Sequence, residues 1–353
     1  MTSSLPTPAR IKVLVVDDSA VVRQVLIKAI SSAADIEVVG TAPDPYVARD
    51  LIVKLKPDVL TLDIEMPRMD GLSFLAKLMQ HRPMPVVVIS SLSPQGSEVA
   101  MRALELGAVE VLCKPGSAYS VLELGFVLTN SIRAAAQAKL MVKRAVPTLA
   151  PEVKKEAGAV PGLATSQILV LGASTGGTVA IREIMSELPA NTPGTVIVQH
   201  MPPMFTAAFA KQLDAVSAMT VVEAKGGEEL RTGLALVAPG GYHLVVVRVG
   251  DRFITELRLG PKIHFQRPAV DVTFLSIAKA AGSAACGVLL TGMGADGAAG
   301  LLAMRNAGGL TLTQDEPSCV VYGMPKAAVD LDASMEVIAL SGMAKRIRRR
   351  FGM

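Results

Sequence analysis

The sequence has no tryptophan and few charges: 19% of its 353 residues are charged, while half are apolar. That balance excludes a disordered chain and points to a globular one, long enough for two domains with separate cores. No apolar run reaches the roughly 18 residues that span a bilayer. The opening Met1-Thr2-Ser3-Ser4-Leu5-Pro6 lacks the basic-then-apolar pattern of a secretory leader. A cytoplasmic location without direct membrane insertion is the expectation. Three cysteines, Cys113, Cys286 and Cys319, are odd in number and without metal-ligand spacing, so reduced buried thiols are expected. Five of the basic residues, Lys345, Arg346, Arg348, Arg349 and Arg350, crowd the C-terminus. Without them the chain has one more acidic than basic residue, so no nucleic-acid partner is expected for the folded body. The basic cluster reads as a solvated helix end or as a contact for an acidic partner or nucleic acid.

What is present is a repeated alternation of short aliphatic runs and helix-length amphipathic ones. Val13–Val16, Ile36–Val39, Val59–Leu62, Val86–Ile89 and Val109–Leu112 read as five strands of a doubly wound parallel sheet. This first domain is expected over residues 10–133. Lys143, Arg144, Pro147, Pro151, Lys154, Lys155, Gly158, Pro161 and Gly162 change the texture, giving a helical extension and linker over 134–165. A second α/β domain over 166–350 follows, with strands at Ile168–Leu171, Val196–Val198 and Val288–Leu290. Val245–Val247 and Phe253-Ile254 suggest an antiparallel hairpin about Gly250-Asp251.

In the first domain the expected strand tips carry Asp17-Asp18, Asp63-Ile64-Glu65, Ser90 and Lys114-Pro115. Crowded carboxylates repel unless a hard dication is present, and oxygen-only ligation suits Mg²⁺. A lysine and a hydroxyl beside them can hold phosphoryl oxygens, leaving a carboxylate as acceptor. A lone Asp-Asp pair would be read as helix capping. The ordered set of tips resembles the receiver domain of two-component response regulators. The resemblance implies that Asp63 accepts phosphate from a histidine kinase and that Ser90 and Lys114 grip the phosphoryl group. It also implies that Asp17, Asp18, Asp63 and the backbone carbonyl of Glu65 hold Mg²⁺. Many receivers carry an aromatic residue where this chain has Val111.

In the second domain three loops follow aliphatic runs and place a serine, a histidine and an aspartate at one sheet edge: Gly172–Gly177, Gln199–Pro202 and Gly292–Gly297. Gly172-Ala173-Ser174-Thr175-Gly176 fits the G-x-S-x-G turn that exposes a nucleophilic hydroxyl. The order Ser174, His200, Asp296 differs from that of the α/β-hydrolases, so the same chemistry on another scaffold is expected. A dinucleotide-binding turn is the competing reading of the glycine loop, but Gln199 and His200 stand where a ribose-binding acid belongs. His81, His243 and His264 are the weaker candidates for a base. Backbone N–H groups at Gly292–Gly294, Met293 above all, are candidates for binding an oxyanion.

The segments GASTGG, QHMP, VAPGGYH, RPAVDV, LTGMGADG and VYGMP, together with the receiver residues, resemble the CheB family of chemotaxis response-regulator methylesterases. The resemblance implies a flavodoxin-like receiver followed by a Rossmann-like methylesterase domain with an antiparallel hairpin. It implies that Ser174 is the nucleophile, His200 the base and Asp296 its orienting acid. These would hydrolyse γ-methyl esters of glutamates in methyl-accepting chemoreceptors, and deamidate certain receptor glutamines, with no cofactor for hydrolysis. It further implies that the unphosphorylated receiver restrains the esterase. Met201, Met204, Phe205, Met293 and Met324 offer either an adaptable apolar wall for a receptor helix or ordinary core packing.

Overall fold

The computed structural model describes residues 10–66, 69–91, 93–114, 121–139 and 164–353. The chain divides into two compact units, Met1–Val142 and Lys143–Met353. In the first, strands and helices alternate: β1 (Ile11–Val16), α1 (Ala20–Ile30), β2 (Ile36–Ala42), α2 (Pro45–Leu55), β3 (Val59–Asp63), α3 (Gly71–His81), β4 (Val86–Ser90), α4 (Pro94–Glu105), β5 (Glu110–Cys113) and α5 (Val121–Gln137). The sheet order is β2-β1-β3-β4-β5, with every pairing parallel. β3 and β4 are buried along their whole length, as expected for strands covered on both faces and therefore built from unbroken aliphatic runs.

Helix starts follow local chemistry. Ser19 accepts from Val22 N, Asp44 from Tyr46 and Val47 N ahead of a first-turn Pro45, and Asp70 from Ser73 N. The winding reverses between β1 and β3, which opens a crevice at the carboxyl ends of those strands. All five expected strands are present, β5 one residue later than its aliphatic run suggested. α5 passes residue 133 and ends at Gln137. Most of the expected linker, 140–163, lies outside the described residues.

The second unit contains β6 (Ile168–Ala173), α6 (Gly177–Glu187), β7 (Gly194–Gln199), α7 (Phe205–Val216), β8 (Thr220–Glu223), β9 (Leu234–Val237), β10 (His243–Val249), β11 (Arg252–Arg258), α8 (Val270–Ala281), β12 (Ala285–Leu289), α9 (Ala298–Asn306), β13 (Leu310–Gln314), α10 (Met324–Asp330), β14 (Glu336–Ile338) and α11 (Leu340–Phe351). Seven strands form a parallel sheet in the order β14-β13-β12-β6-β7-β9-β8. β10 and β11 make the antiparallel hairpin, Val249 facing Arg252 across Gly250-Asp251. Gly250 takes φ +60 there, a conformation that suits glycine. β12 starts three residues before the expected Val288 and ends at Leu289.

With no tryptophan available, Phe205, Phe209 and Phe274 are the largest fully buried side chains of this unit. The order β12-β6-β7 sets three neighbouring strands side by side at the centre. The loops leaving their carboxyl ends are those of Asp296, Ser174 and His200. Among the described residues no helix is long and apolar enough to cross a membrane.

Candidate active site and phosphoryl-acceptor site

Ser174 and His200 are the residues next after Ala173 and Gln199, which pair directly between β6 and β7. The backbone holds them in step: His200 N donates to Ala173 O at 3.2 Å, and Gln199 Nε2 donates to Ser174 O at 2.9 Å. On the other side Ser174 N donates to Thr291 O, just beyond β12. Gly176, at φ +80, turns the chain into α6, and Gly177 N returns to Ser174 O at 2.7 Å. Gly292 is pressed against the serine; a Cβ there would stand 2.7 Å from Ser174 Cβ. The amide of Met293 therefore follows the residue that touches Ser174.

The direct side-chain contact in this group joins His200 Nε2 to Asp296 Oδ2 at 2.7 Å, and both side chains are nearly sealed from solvent. Among the described residues the Ser174 hydroxyl is not hydrogen-bonded to His200. Catalytic contacts of this kind commonly close only around substrate. Asp296 is seated by the start of α8: Val270 N donates to Oδ2 at 2.7 Å and Asp271 N to Oδ1 at 2.9 Å. α8 has no side-chain cap of its own, so a carboxylate from another loop satisfies its free N–H groups and its positive end. Burial works to push the Asp296 carboxyl up, yet the His200 contact and the two N–H groups hold it below its ordinary value. With Nε2 committed as donor to Asp296, Nδ1 is the ring nitrogen left to accept a proton.

In the first unit the carboxylate oxygens of Asp17, Asp18 and Asp63 gather within 4.8 Å of one another. Lys114 Nζ lies 2.7 Å from Asp63 Oδ2, and Glu65 N donates to Asp63 Oδ1 at 2.9 Å. Arg23 Nη1 grips the carbonyls of Asp17 and Asp18, fixing the acidic tip. Burial, aided by the charge of Asp63, pushes the Asp17 carboxyl up to about 6. Burial also raises Asp63, against the Lys114 contact. Asp17 Oδ2 is buried without a hydrogen-bond partner. Crowded carboxylates with an orphaned oxygen are the donor set that a hard dication satisfies. Ser90 is fully buried at the end of β4 and donates to Gly96 O at 3.2 Å. Val111 is buried on β5.

Comparison with known proteins gives two family matches: the CheB methylesterase family over residues 169–347 and the response regulator receiver domain over 13–124. The chain is 49% identical to protein-glutamate methylesterase/protein-glutamine glutaminase 2 of Syntrophus aciditrophicus, covering 97% of this chain and 99% of that one. It is 52% identical to the fourth such protein of Anaeromyxobacter dehalogenans, over 98% and 96% of the two chains. The crystal structure of the Thermotoga maritima CheB methylesterase catalytic domain superposes with a TM-score of 0.51 at 37% identity, covering 52% of this chain and 98% of that one. The chain belongs to the CheB methylesterase family.

Several parts of this CheB site carry no advance signal as site residues. The seat of Asp296 is built from the backbone of Val270 and Asp271, inside a motif that matches the family without revealing what its residues hold. Gln199 is a buried clamp whose amide spans the Ser174 and His200 carbonyls. His243 is buried and structural: its Nε2 donates to Pro261 O and its Nδ1 accepts from Ala269 N. It thereby pins the segment leading into α8. His81 is exposed at the end of α3. Of the suggested apolar wall, Phe205 and Met324 are core residues, 1% and 0% exposed, while Met204 stands out at 37%.

Proposed function

We propose that this CheB family member is a phosphorylation-activated protein-glutamate methylesterase and protein-glutamine glutaminase, with Ser174, His200 and Asp296 as its catalytic group. The observation that carries this reading is the three-donor seat of Asp296, which holds His200 in the tautomer with a free Nδ1 lone pair. In the reaction Ser174 Oγ attacks the ester or amide carbonyl while His200 Nδ1 takes its proton. The same proton passes to the departing methanol or ammonia. Water, deprotonated in its turn by His200, releases the glutamate carboxylate and restores the serine. The Met293 N–H, beside Gly292 and hence beside Ser174, is the donor for the tetrahedral oxyanion, an interaction that typically contributes about 3 kcal/mol.

The proposed domain bounds are 10–133 for the receiver, 134–165 for the extension and linker, and 166–350 for the esterase. In the receiver Asp63 is the phosphoryl acceptor, with Lys114 and Ser90 as ligands to the phosphoryl oxygens. Asp17, Asp18, Asp63 and the Glu65 carbonyl would hold Mg²⁺, which supplies charge neutralisation when bound. The orphaned Asp17 oxygen supports this donor set. The proposed partners are methyl-accepting chemoreceptors as substrate and their histidine kinase as phosphodonor, in the cytoplasm. Phosphorylation adds close to two negative charges at the receiver's sheet edge and relieves the restraint on hydrolysis.

The test is release of methanol from methylated chemoreceptor membranes, and of ammonia from receptors carrying glutamine at those positions. It is run with full-length protein, with and without a small phosphodonor. Product in both cases, faster with the donor, is expected. Absence of methanol would overturn the assignment.

A further inference from the structure

Next to the catalytic acid lies a second histidine–carboxylate pair that the reaction above leaves unused. His264 Nε2 is 3.3 Å from Asp271 Oδ2, and ligand atoms of His264, Asp271 and Asp296 all lie within 4.8 Å of one another. Asp271 has two parts with opposite consequences. Its N–H helps seat Asp296, whereas its carboxylate, only 6% exposed, brings a second negative charge to the same helix start. Gly300 N answers one oxygen at 2.7 Å, and His264 stands at the other. Burial and the neighbouring Asp296 push the Asp271 carboxyl up, against Gly300 and His264.

The backbone goes to some length to put His264 there. Ile263 and Gln266 exchange hydrogen bonds of 3.1 and 2.8 Å around a two-residue turn. Both central residues, His264 at φ +50 and Phe265 at φ +62, occupy the left-handed region. Side chains are strained in that region, and such strain gathers where a function needs the residue. The imidazole is half exposed. The same segment carries two other cations: Lys262, which is exposed, and Arg267, whose Nη1 is engaged by Gly260 O. From the opposite side Asp296 is faced by His200.

We infer that His264 is a positioning residue for the reaction: it holds Asp271, and with it the start of α8 that seats Asp296. When its ring is protonated it also offsets the Asp271 charge, so that His200 then works beside one uncompensated carboxylate rather than two. This rests on the Ser174, His200 and Asp296 reading.

The experiment is the pH–rate profile of methanol release by the full-length protein with saturating phosphodonor. It compares the unaltered chain with His264→Asn, Asp271→Asn and the double variant. Asparagine tolerates the left-handed turn, so His264→Asn removes the imidazole without disturbing the backbone. In Asp271→Asn the amide oxygen could still accept from Gly300 N. His264→Asn is expected to move the acidic limb of kcat/KM upward by about half a pH unit or more, because the uncompensated Asp271 charge favours protonated His200. It should lower kcat about fivefold with little change in KM. Asp271→Asn should move the limb the other way. The double variant should lie between the two single variants in the limb, because charge effects on His200 add, yet lose no more kcat than Asp271→Asn, because His264 positions α8 through Asp271. An unchanged limb in His264→Asn, or losses of kcat in the two single variants that simply multiply in the double, would overturn the inference. Methanol release by the unaltered chain and its loss in Ser174→Ala test the triad separately.

Discussion

Asp296 accepts three hydrogen bonds, and only one of them comes from the histidine it serves. In Asp296→Asn an amide oxygen that keeps the Asp271 N bond puts the NH₂ group at the Oδ2 position, where the Val270 N bond is lost and the NH₂ faces His200 Nε2 and demands an acceptor there. That moves the ring proton to Nδ1, where the serine proton must go. A fall in kcat of about 10⁴-fold with little change in KM is expected; methanol release measures it, and a fall below about tenfold would contradict the tautomer argument. Asp17 gives a prediction of a different kind. Its carboxyl is raised from 3.8 to about 6, mainly by burial, so the folded metal-free receiver holds this proton where the unfolded chain has released it. Stability from this source is therefore full below about 3.8 and lost as pH rises through about 6. Without divalent metal, the thermal midpoint of the receiver transition should fall across that interval in the unaltered chain and fall less in Asp17→Asn. Adding Mg²⁺ at neutral pH should raise the midpoint of the unaltered chain more than that of Asp17→Asn. Equal slopes in the two proteins would remove the argument.

The elements that carry Ser174 and His200 are legible in the sequence because strands buried on both faces must be continuous aliphatic runs, and β6 and β7 are buried along their whole length. β8 and β14 have no such runs. Each is short and partly exposed at a sheet edge, so tertiary pairing rather than composition makes them strands. The seat of Asp296 is illegible for another reason: α8 offers backbone N–H groups, which nearly every residue possesses. What brings α8 close enough is the absence of side chains opposite it. A Cβ on Gly300, in α9, would lie 2.6 Å from Phe274 Cβ and 3.0 Å from Asp271 O. Gly300→Ala should therefore push the start of α8 off Asp296, costing about 1–3 kcal/mol of stability and lowering kcat more than it raises KM. Thermal unfolding and steady-state kinetics measure the two effects. Unchanged stability together with unchanged kcat would show that the close approach is not what holds the seat.

At the scale of the whole molecule, two parallel sheets each present reactive groups at the carboxyl ends of their strands. One carries a crowded acidic set with a lysine, the other a serine beside a seated histidine. In the proposed scheme the first controls and the second catalyses. A fragment from Gln167 to Met353 is expected to release methanol faster than the unphosphorylated full chain, and equal rates would remove the restraint. The corresponding catalytic domain of Thermotoga maritima CheB, solved as a separate chain, is covered over 98% of its length. The most direct test of the central claim is methanol release by full-length Ser174→Ala, set beside labelling of Asp63 by a small phosphodonor in the same preparation. The expected result is a loss of at least about 10³-fold in esterase rate with Asp63 labelled as in the unaltered protein. Retention of the full esterase rate would contradict the claim that this hydroxyl is the nucleophile.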